Sequence, residues 1–103
     1  MGTRPEAIKL APLAAAMRAH PSIECKVIAT GQHEEMLYQA LQDFDCEIDV
    51  KFNIPRDGRT LAGVTCEVIK SVNSHIQEDR PDWIISQGDT TTAFASGLVG
   101  FYE

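Results

Sequence analysis

Gly2-Thr3-Arg4-Pro5-Glu6-Ala7-Ile8-Lys9 decides how this chain is read. A glycine turn leads into Thr3, and Glu6 stands three residues on, the spacing of a capping box. Pro5 lies in the first turn, where its missing N–H costs nothing. The stretch is a helix start. Such a start carries unpaired backbone N–H groups and the positive end of the helix dipole, so it attracts anions. Arg4 and Lys9 add cations near the same turn. The local chemistry suits a phosphate-bearing ligand. A turn of this kind normally follows a strand. Only Met1 precedes it, so the chain is expected to open where a first strand has already ended.

Outward from this turn, the helix should run from about Arg4 to Ala19. Ala7, Ile8, Leu10, Ala11, Leu13, Ala14 and Met17 give it a broad apolar face. Pro12 should kink or divide it, and His20-Pro21-Ser22 ends it. Glu24 to Thr30 reads as a short buried strand, Gly31-Gln32-His33 as a turn, and Glu34 to Phe44 as a second helix. Glu47 to Phe52 alternates as a weaker strand, and Asn53 to Arg59 is a loop containing Pro55 and Asp57-Gly58. Thr60 should cap a long helix reaching about Gln77, with Leu61, Val64, Val68, Ile69, Val72 and Ile76 at helical spacing. Pro81 stops it. Trp83 to Ser86 reads as a strand apolar enough to be covered on both faces. Gln87-Gly88-Asp89 ends that strand, and Thr90 to Tyr102 forms the last helix, opened by threonines.

Strands alternating with helices predict an α/β fold with a parallel sheet and right-handed crossovers. The 103 residues are 44% hydrophobic, enough for a core. With nine basic and fifteen acidic residues the net charge is −6, which argues against a nucleic-acid or anionic-membrane surface as the main function. A local cationic pocket remains compatible with that balance. Cys25, Cys46 and Cys66 are odd in number, widely spaced and unpaired in pattern. They read as reduced thiols of a cytoplasmic protein rather than as a disulfide framework or zinc site. No secretory signal is visible, and no apolar run approaches the roughly 18 residues of a membrane span.

In an open parallel sheet, ligands gather beyond the carboxyl ends of the strands. Three polar segments fall there: the turn with Arg4 and Lys9, the Gln32-His33 pair, and Asp89 followed by Thr90, Thr91 and Thr92. Asp89 suits a general acid or base, or equally an N-cap for the last helix. Arg4 and Lys9 suit phosphate contact; solvated helix charge, with Lys9 three residues after Glu6, is the plainer alternative. His33 is an acid–base candidate or a polar residue at a helix start. Arg56 and Arg59 could close over an anion or be exposed loop charge, and His20 and His75 read as solvated. There is no G-x-G-x-x-G, Walker lysine loop, H-E-x-x-H or G-x-S-x-G.

Taken together, GTRPEAIKLAPL at 2–13, TGQHEEML at 30–37 and QGDTTTAFAS at 87–96 closely resemble the non-hydrolysing UDP-N-acetylglucosamine 2-epimerases, along the whole chain and in order. The resemblance implies two Rossmann-like domains facing across a cleft, the GT-B arrangement. Residues 1–103 would be an incomplete N-terminal Rossmann-like domain, without its first strand and without the C-terminal domain. It implies interconversion of UDP-GlcNAc and UDP-ManNAc for bacterial surface polysaccharides, in the cytoplasm, by a homodimer that needs neither cofactor nor metal. Proton removal at C2 and anti elimination of UDP would give 2-acetamidoglucal, to which UDP adds back.

Carried over by motif, Asp89 and Lys9 are the catalytic residues, and Arg4, Glu6, Gln32, His33 and Thr90 bind substrate. Arg4 would touch the diphosphate, Lys9 would act electrostatically, and Asp89 would be one of the carboxylates around the sugar. Glu6 is equally explained as a cap. Many bacterial members bind a second UDP-GlcNAc as activator near the Gln-His helix start. Here Glu34-Glu35 replace the basic and amide residues common there, so weak or absent activation is expected. Alternatives are a hydrolysing epimerase releasing ManNAc and UDP, a non-catalytic sugar-nucleotide-binding module, or a GT-B glycosyltransferase. The fragment alone is expected to be inactive and to leave apolar surface exposed.

Overall fold

The computed structural model describes residues 1–31, 34–54 and 58–103, with Glu34 described by its backbone alone. The elements are α1 (Arg4–Arg18), β1 (Ile28–Ala29), α2 (Glu34–Asp43), β2 (Val50–Lys51), α3 (Leu61–Asp79) and α4 (Thr91–Tyr102). β1 and β2 pair in parallel, Ile28 opposite Val50 and Ala29 opposite Lys51. Asp49 N–H donates to the Val27 carbonyl at 2.9 Å and Phe52 N–H to the Ala29 carbonyl at 2.8 Å, so pairing reaches beyond the regular ladder. The other edge of β1 is engaged by Met1. Its amine donates to the Ile28 carbonyl at 2.7 Å, and its carbonyl accepts from Thr30 N–H at 2.9 Å. That is the hydrogen-bond pattern of a parallel strand neighbour.

The parallel α/β order matches expectation, while the strands are shorter than the expected 24–30 and 47–52. Trp83 to Ser86 departs further. Among the described residues it pairs with no strand, and Trp83 is 85% exposed rather than covered. A strand needs a ladder neighbour, and none of the described backbone lies beside this segment in the sheet. Only Ile84 packs inward, against the α3–α4 core, and the alternation of an extended chain turns its neighbours Trp83 and Ile85 outward. α1 runs through Pro12 without division. Pro12 is exposed, so the carbonyl left without an N–H partner can bond to water.

Two apolar clusters hold the elements. Ala7 and Ala11 of α1 pack with Ala29, Leu37, Ala40 and Leu41. The stripe of α1 is narrower than expected, since Ile8 and Leu13 are exposed. Val64, Val68, Val72 and Ile76, each four residues apart, bury one side of α3 against Ala95 and Val99 of α4. The Thr60 hydroxyl caps α3 by accepting from Gly63 N–H at 3.1 Å. Arg80, in the left-handed region at φ 44°, closes it before Pro81. The second side of α4 keeps Phe94, Phe101 and Tyr102 exposed.

Polar ties cross the surface. Lys26 Nζ pairs with Asp79 at 2.6 Å, which holds the Lys26 ammonium above its ordinary pKa and the Asp79 carboxyl below its own. Asp49 accepts from Arg18 and from Val27 N–H at 2.6 Å, tying α1 to both strands. His75 is half-buried, edge-on to Phe52 with 6.2 Å between ring centres and 3.8 Å from Asp79. It is not the solvated residue expected, because α3 turns it toward the sheet end. The three cysteines are free thiols, and burial pushes the Cys46 thiol upward.

Candidate functional site

The helix start at Thr3–Glu6 is built around one carboxylate. Glu6 is a buried charged residue, 2% exposed. Its Oε2 accepts from Gly2 N–H at 2.7 Å, Thr3 N–H at 2.6 Å and the Thr3 hydroxyl at 2.9 Å. Its Oε1 accepts from the Thr90 hydroxyl at 2.5 Å. All four partners are donors, the surroundings an ionised carboxylate satisfies. Glu6 thus points inward and ties the first turn to the start of α4, 84 residues later. Arg4, two residues before it, is left exposed.

Thr90, not Asp89, is the N-cap of α4, accepting from Ala93 N–H at 3.2 Å. This removes the capping explanation of Asp89. Its side chain is exposed and has no hydrogen-bond or ion-pair partner among the described residues. Gly88, at φ 94°, supplies a backbone turn that L residues rarely adopt, and it sets Asp89 at the mouth of the helix. Gln87 closes the link on the other side. With its amide turned so that Oε1 faces the donors, it accepts from Lys9 Nζ at 3.1 Å and Gly88 N–H at 3.2 Å. Lys9 therefore reaches across to the Gln87–Asp89 turn rather than pairing with Glu6.

A third tie lies beneath. The Thr30 and Thr92 hydroxyls share a hydrogen bond of 2.7 Å, and both residues are buried. Thr30 follows β1 directly and precedes Gly31, so the second polar segment is anchored to α4 as well. Arg4, Pro5, Ile8, Lys9 and Met36 line an open recess of about 470 Å³, which brings the first turns of α1 and α2 to one place. Gln32 and His33, and in the second loop Arg56, lie outside the described residues. Arg59 is 3.7 Å from Glu67 in an exposed pair. Among the described residues no cluster of His, Cys, Asp and Glu could hold a metal ion, and no helix is long and apolar enough to cross a membrane.

The structure thus joins Arg4, Glu6, Lys9, Asp89 and Thr90 at one end of the parallel sheet. Gln87 and the Thr30–Thr92 pair were not singled out from sequence. Their signal was present, since each lies inside a polar segment at a strand end, but uncharged residues there look like loop filling. The electrostatic content is a helix start, two exposed cations and one exposed carboxylate within a hydrogen-bonded frame. Such a frame can hold an anion beside an acid–base group.

Residues 15–103 match the profile of the UDP-N-acetylglucosamine 2-epimerase family. This chain belongs to that family. A UDP-N-acetylglucosamine 2-epimerase of Salmonella borreze is 44% identical over 102 residues, which cover 99% of this chain and 27% of the relative. One of Escherichia coli K12 is 43% identical with the same coverage. The crystal structure of UDP-GlcNAc 2-epimerase from Neisseria meningitidis bound to UDP-GlcNAc superposes with a TM-score of 0.89 at 42% identity, over 98% of this chain and 28% of that one. The Methanocaldococcus jannaschii UDP-GlcNAc 2-epimerase in complex with UDP-GlcNAc and UDP gives 0.86 at 28% identity, over 96% of this chain and 27% of that one. The chain spans about 27% of the length of the curated relatives it matches. These epimerase neighbours are of GT-B type, and the α/β fragment shares their fold.

Proposed function

We propose that this chain is the N-terminal part of a non-hydrolysing UDP-GlcNAc 2-epimerase, and that its linked loops carry the diphosphate and part of the acid–base machinery. The observation that carries the reading is the frame just described. Lys9 is bonded to the turn that bears Asp89, and Glu6 is bonded to the cap beside it. A cation and a carboxylate held on one rigid support suit a reaction that expels an anion while moving a proton.

In that reaction a base removes the C2 proton, the C1–O bond breaks and its electron pair leaves with UDP. The product is 2-acetamidoglucal, with a double bond between C1 and C2. Reprotonation at C2 on the opposite face and return of UDP to C1 give UDP-ManNAc. Arg4 and the α1 start would hold the diphosphate, and Lys9 would offset the charge that builds on departing UDP. Asp89 would stand among the carboxylates around the sugar, with Thr90 beside it. Gln32 and His33 would approach from the α2 start. The first strand of the domain and the C-terminal domain would come from chain outside these residues, and the whole enzyme would be a cytoplasmic homodimer. Glu35, exposed on α2, would discourage a second nucleotide sugar there, so activation by UDP-GlcNAc would be weak.

Product analysis of the longer enzyme tests this. Incubation with UDP-GlcNAc should give UDP-ManNAc while total nucleotide sugar stays constant, and Asp89→Asn should abolish conversion. Free ManNAc with UDP would move the protein to the hydrolysing branch. Binding of UDP-GlcNAc with no product of either kind would favour a sugar-nucleotide-binding module.

A further inference from the structure

We propose that Glu6 is a positioning residue rather than a substrate ligand. Its buried carboxylate clamps the Gly2–Thr3 turn to the Thr90 hydroxyl and so fixes Asp89 relative to Arg4. This rests on reading Arg4 and Asp89 as the substrate-facing groups.

The geometry leaves Glu6 little else to do. Each carboxylate oxygen already accepts hydrogen bonds, three on Oε2 and one on Oε1. At 2% exposure the group does not face solvent. An ordinary capping box would need only the bond to Thr3 N–H. Among the described residues the additional bond to Thr90 spans two loops that no regular element joins, since α1 and α4 share neither a strand nor an apolar cluster. Thr90 in turn holds Ala93 N–H. A continuous line of hydrogen bonds therefore runs from the Gly2–Thr3 amides through Glu6 and Thr90 into the first turn of α4. Asp89 is the residue before that cap and Arg4 the residue after Thr3. The spacing of the two charged groups thus depends on a side chain that bonds to neither. Lys9 and Gln87 form a second, solvent-facing strut between the same loops. The clamp is the buried one, where a hydrogen bond to a charged group contributes more.

The test uses the longer enzyme and two readouts. Glu6→Gln places an amide NH₂ among donors. It should lower kcat for epimerisation by about 10- to 100-fold, the effect of small misplacement of reacting groups, while KM stays close to wild type. Thr90→Ser keeps the hydroxyl that donates to Glu6 and should leave amide exchange at Gly2 and Thr3 at the wild-type rate. Thr90→Asp keeps an acceptor for Ala93 N–H but sets a carboxylate against Glu6 where the hydroxyl donated. In that variant amide hydrogen exchange at Gly2 and Thr3 should quicken by at least about tenfold, through loss of one charge-assisted bond and repulsion between the two carboxylates, with core amides of Leu37 and Val68 unchanged. Wild-type kcat in Glu6→Gln, or unaltered exchange at Gly2 and Thr3 in Thr90→Asp, overturns the proposal. If the wild-type enzyme forms no epimer, the epimerase reading fails. The exchange measurement then still decides whether Glu6 clamps the two turns.

Discussion

The Thr30–Thr92 hydroxyl pair gives a prediction whose size follows from its surroundings. The two oxygens are 2.7 Å apart, both residues are buried, and among the described residues the only other bond of the Thr30 hydroxyl is a long one of 3.4 Å to the Met1 carbonyl. Thr92→Val keeps the shape and deletes one hydroxyl, which strands the Thr30 oxygen. Leaving a buried polar group so poorly paired costs about 1–2 kcal/mol. Thr30→Val strands the Thr92 oxygen and should cost a similar amount. The double variant removes both polar atoms and leaves methyl against methyl, which is nearly neutral when the shape is kept. The double-mutant cycle should therefore show a coupling of about 2–4 kcal/mol, with the double variant more stable than the sum of the singles predicts. Urea unfolding followed by circular dichroism measures all four corners. Additive costs would show that the bond does not tie β1 to α4 and would remove one of the frame's supports.

Other sites test the remaining elements. Val68→Ala, in the buried α3–α4 core, should cost about 2–3 kcal/mol in the same titration. Leu61→Ser, at a position 72% exposed, should change stability by less than about 0.5 kcal/mol. Gly88→Ala meets no steric neighbour but must hold φ 94°. A loss of about 1–2 kcal/mol is expected from the backbone alone, read as a lower urea midpoint. The Lys26–Asp79 pair sets a pH dependence. The Asp79 carboxyl is held below its ordinary range by the Lys26 hydrogen bond. Its contribution is therefore present above the ordinary carboxylate pKa and lost as pH falls through the lowered value. The raised Lys26 pKa places the alkaline loss above the ordinary lysine range. Thermal melts of Lys26→Ala should converge on wild type at both extremes and differ between them.

Helices were legible in the sequence because each carries its own signals. Thr60 caps where the pattern places it, α4 begins among the threonines as expected, and Val64, Val68, Val72 and Ile76 mark the buried side of α3. The strands were legible only in part. The apolar run Trp83 to Ser86 reports burial in a sheet, but a strand exists through its neighbour, and none of the described residues supplies one. Pro12 misled because the rule against proline concerns a lost bond, and that loss is small on an exposed face. At the site, charge was easy to find and connection was not. Arg4, Lys9 and Asp89 stand out as residues, whereas nothing in the spacing shows that Glu6 turns inward to Thr90 or that Lys9 reaches Gln87. Such links join loops about 80 residues apart and depend on the packed sheet. Asp89 remained either cap or catalyst until the structure assigned the cap to Thr90.

The most direct test of the proposed chemistry is the fate of the C2 proton. The longer enzyme is incubated with UDP-GlcNAc in D₂O and the C2 signal is followed by NMR, beside Lys9→Met and Asp89→Asn. Deuterium should enter C2 as UDP-ManNAc forms, and both variants should lose exchange while still binding UDP-GlcNAc. Tight binding of UDP-GlcNAc by the wild type with no deuterium at C2, or full exchange in Asp89→Asn, would contradict the role given to these loops.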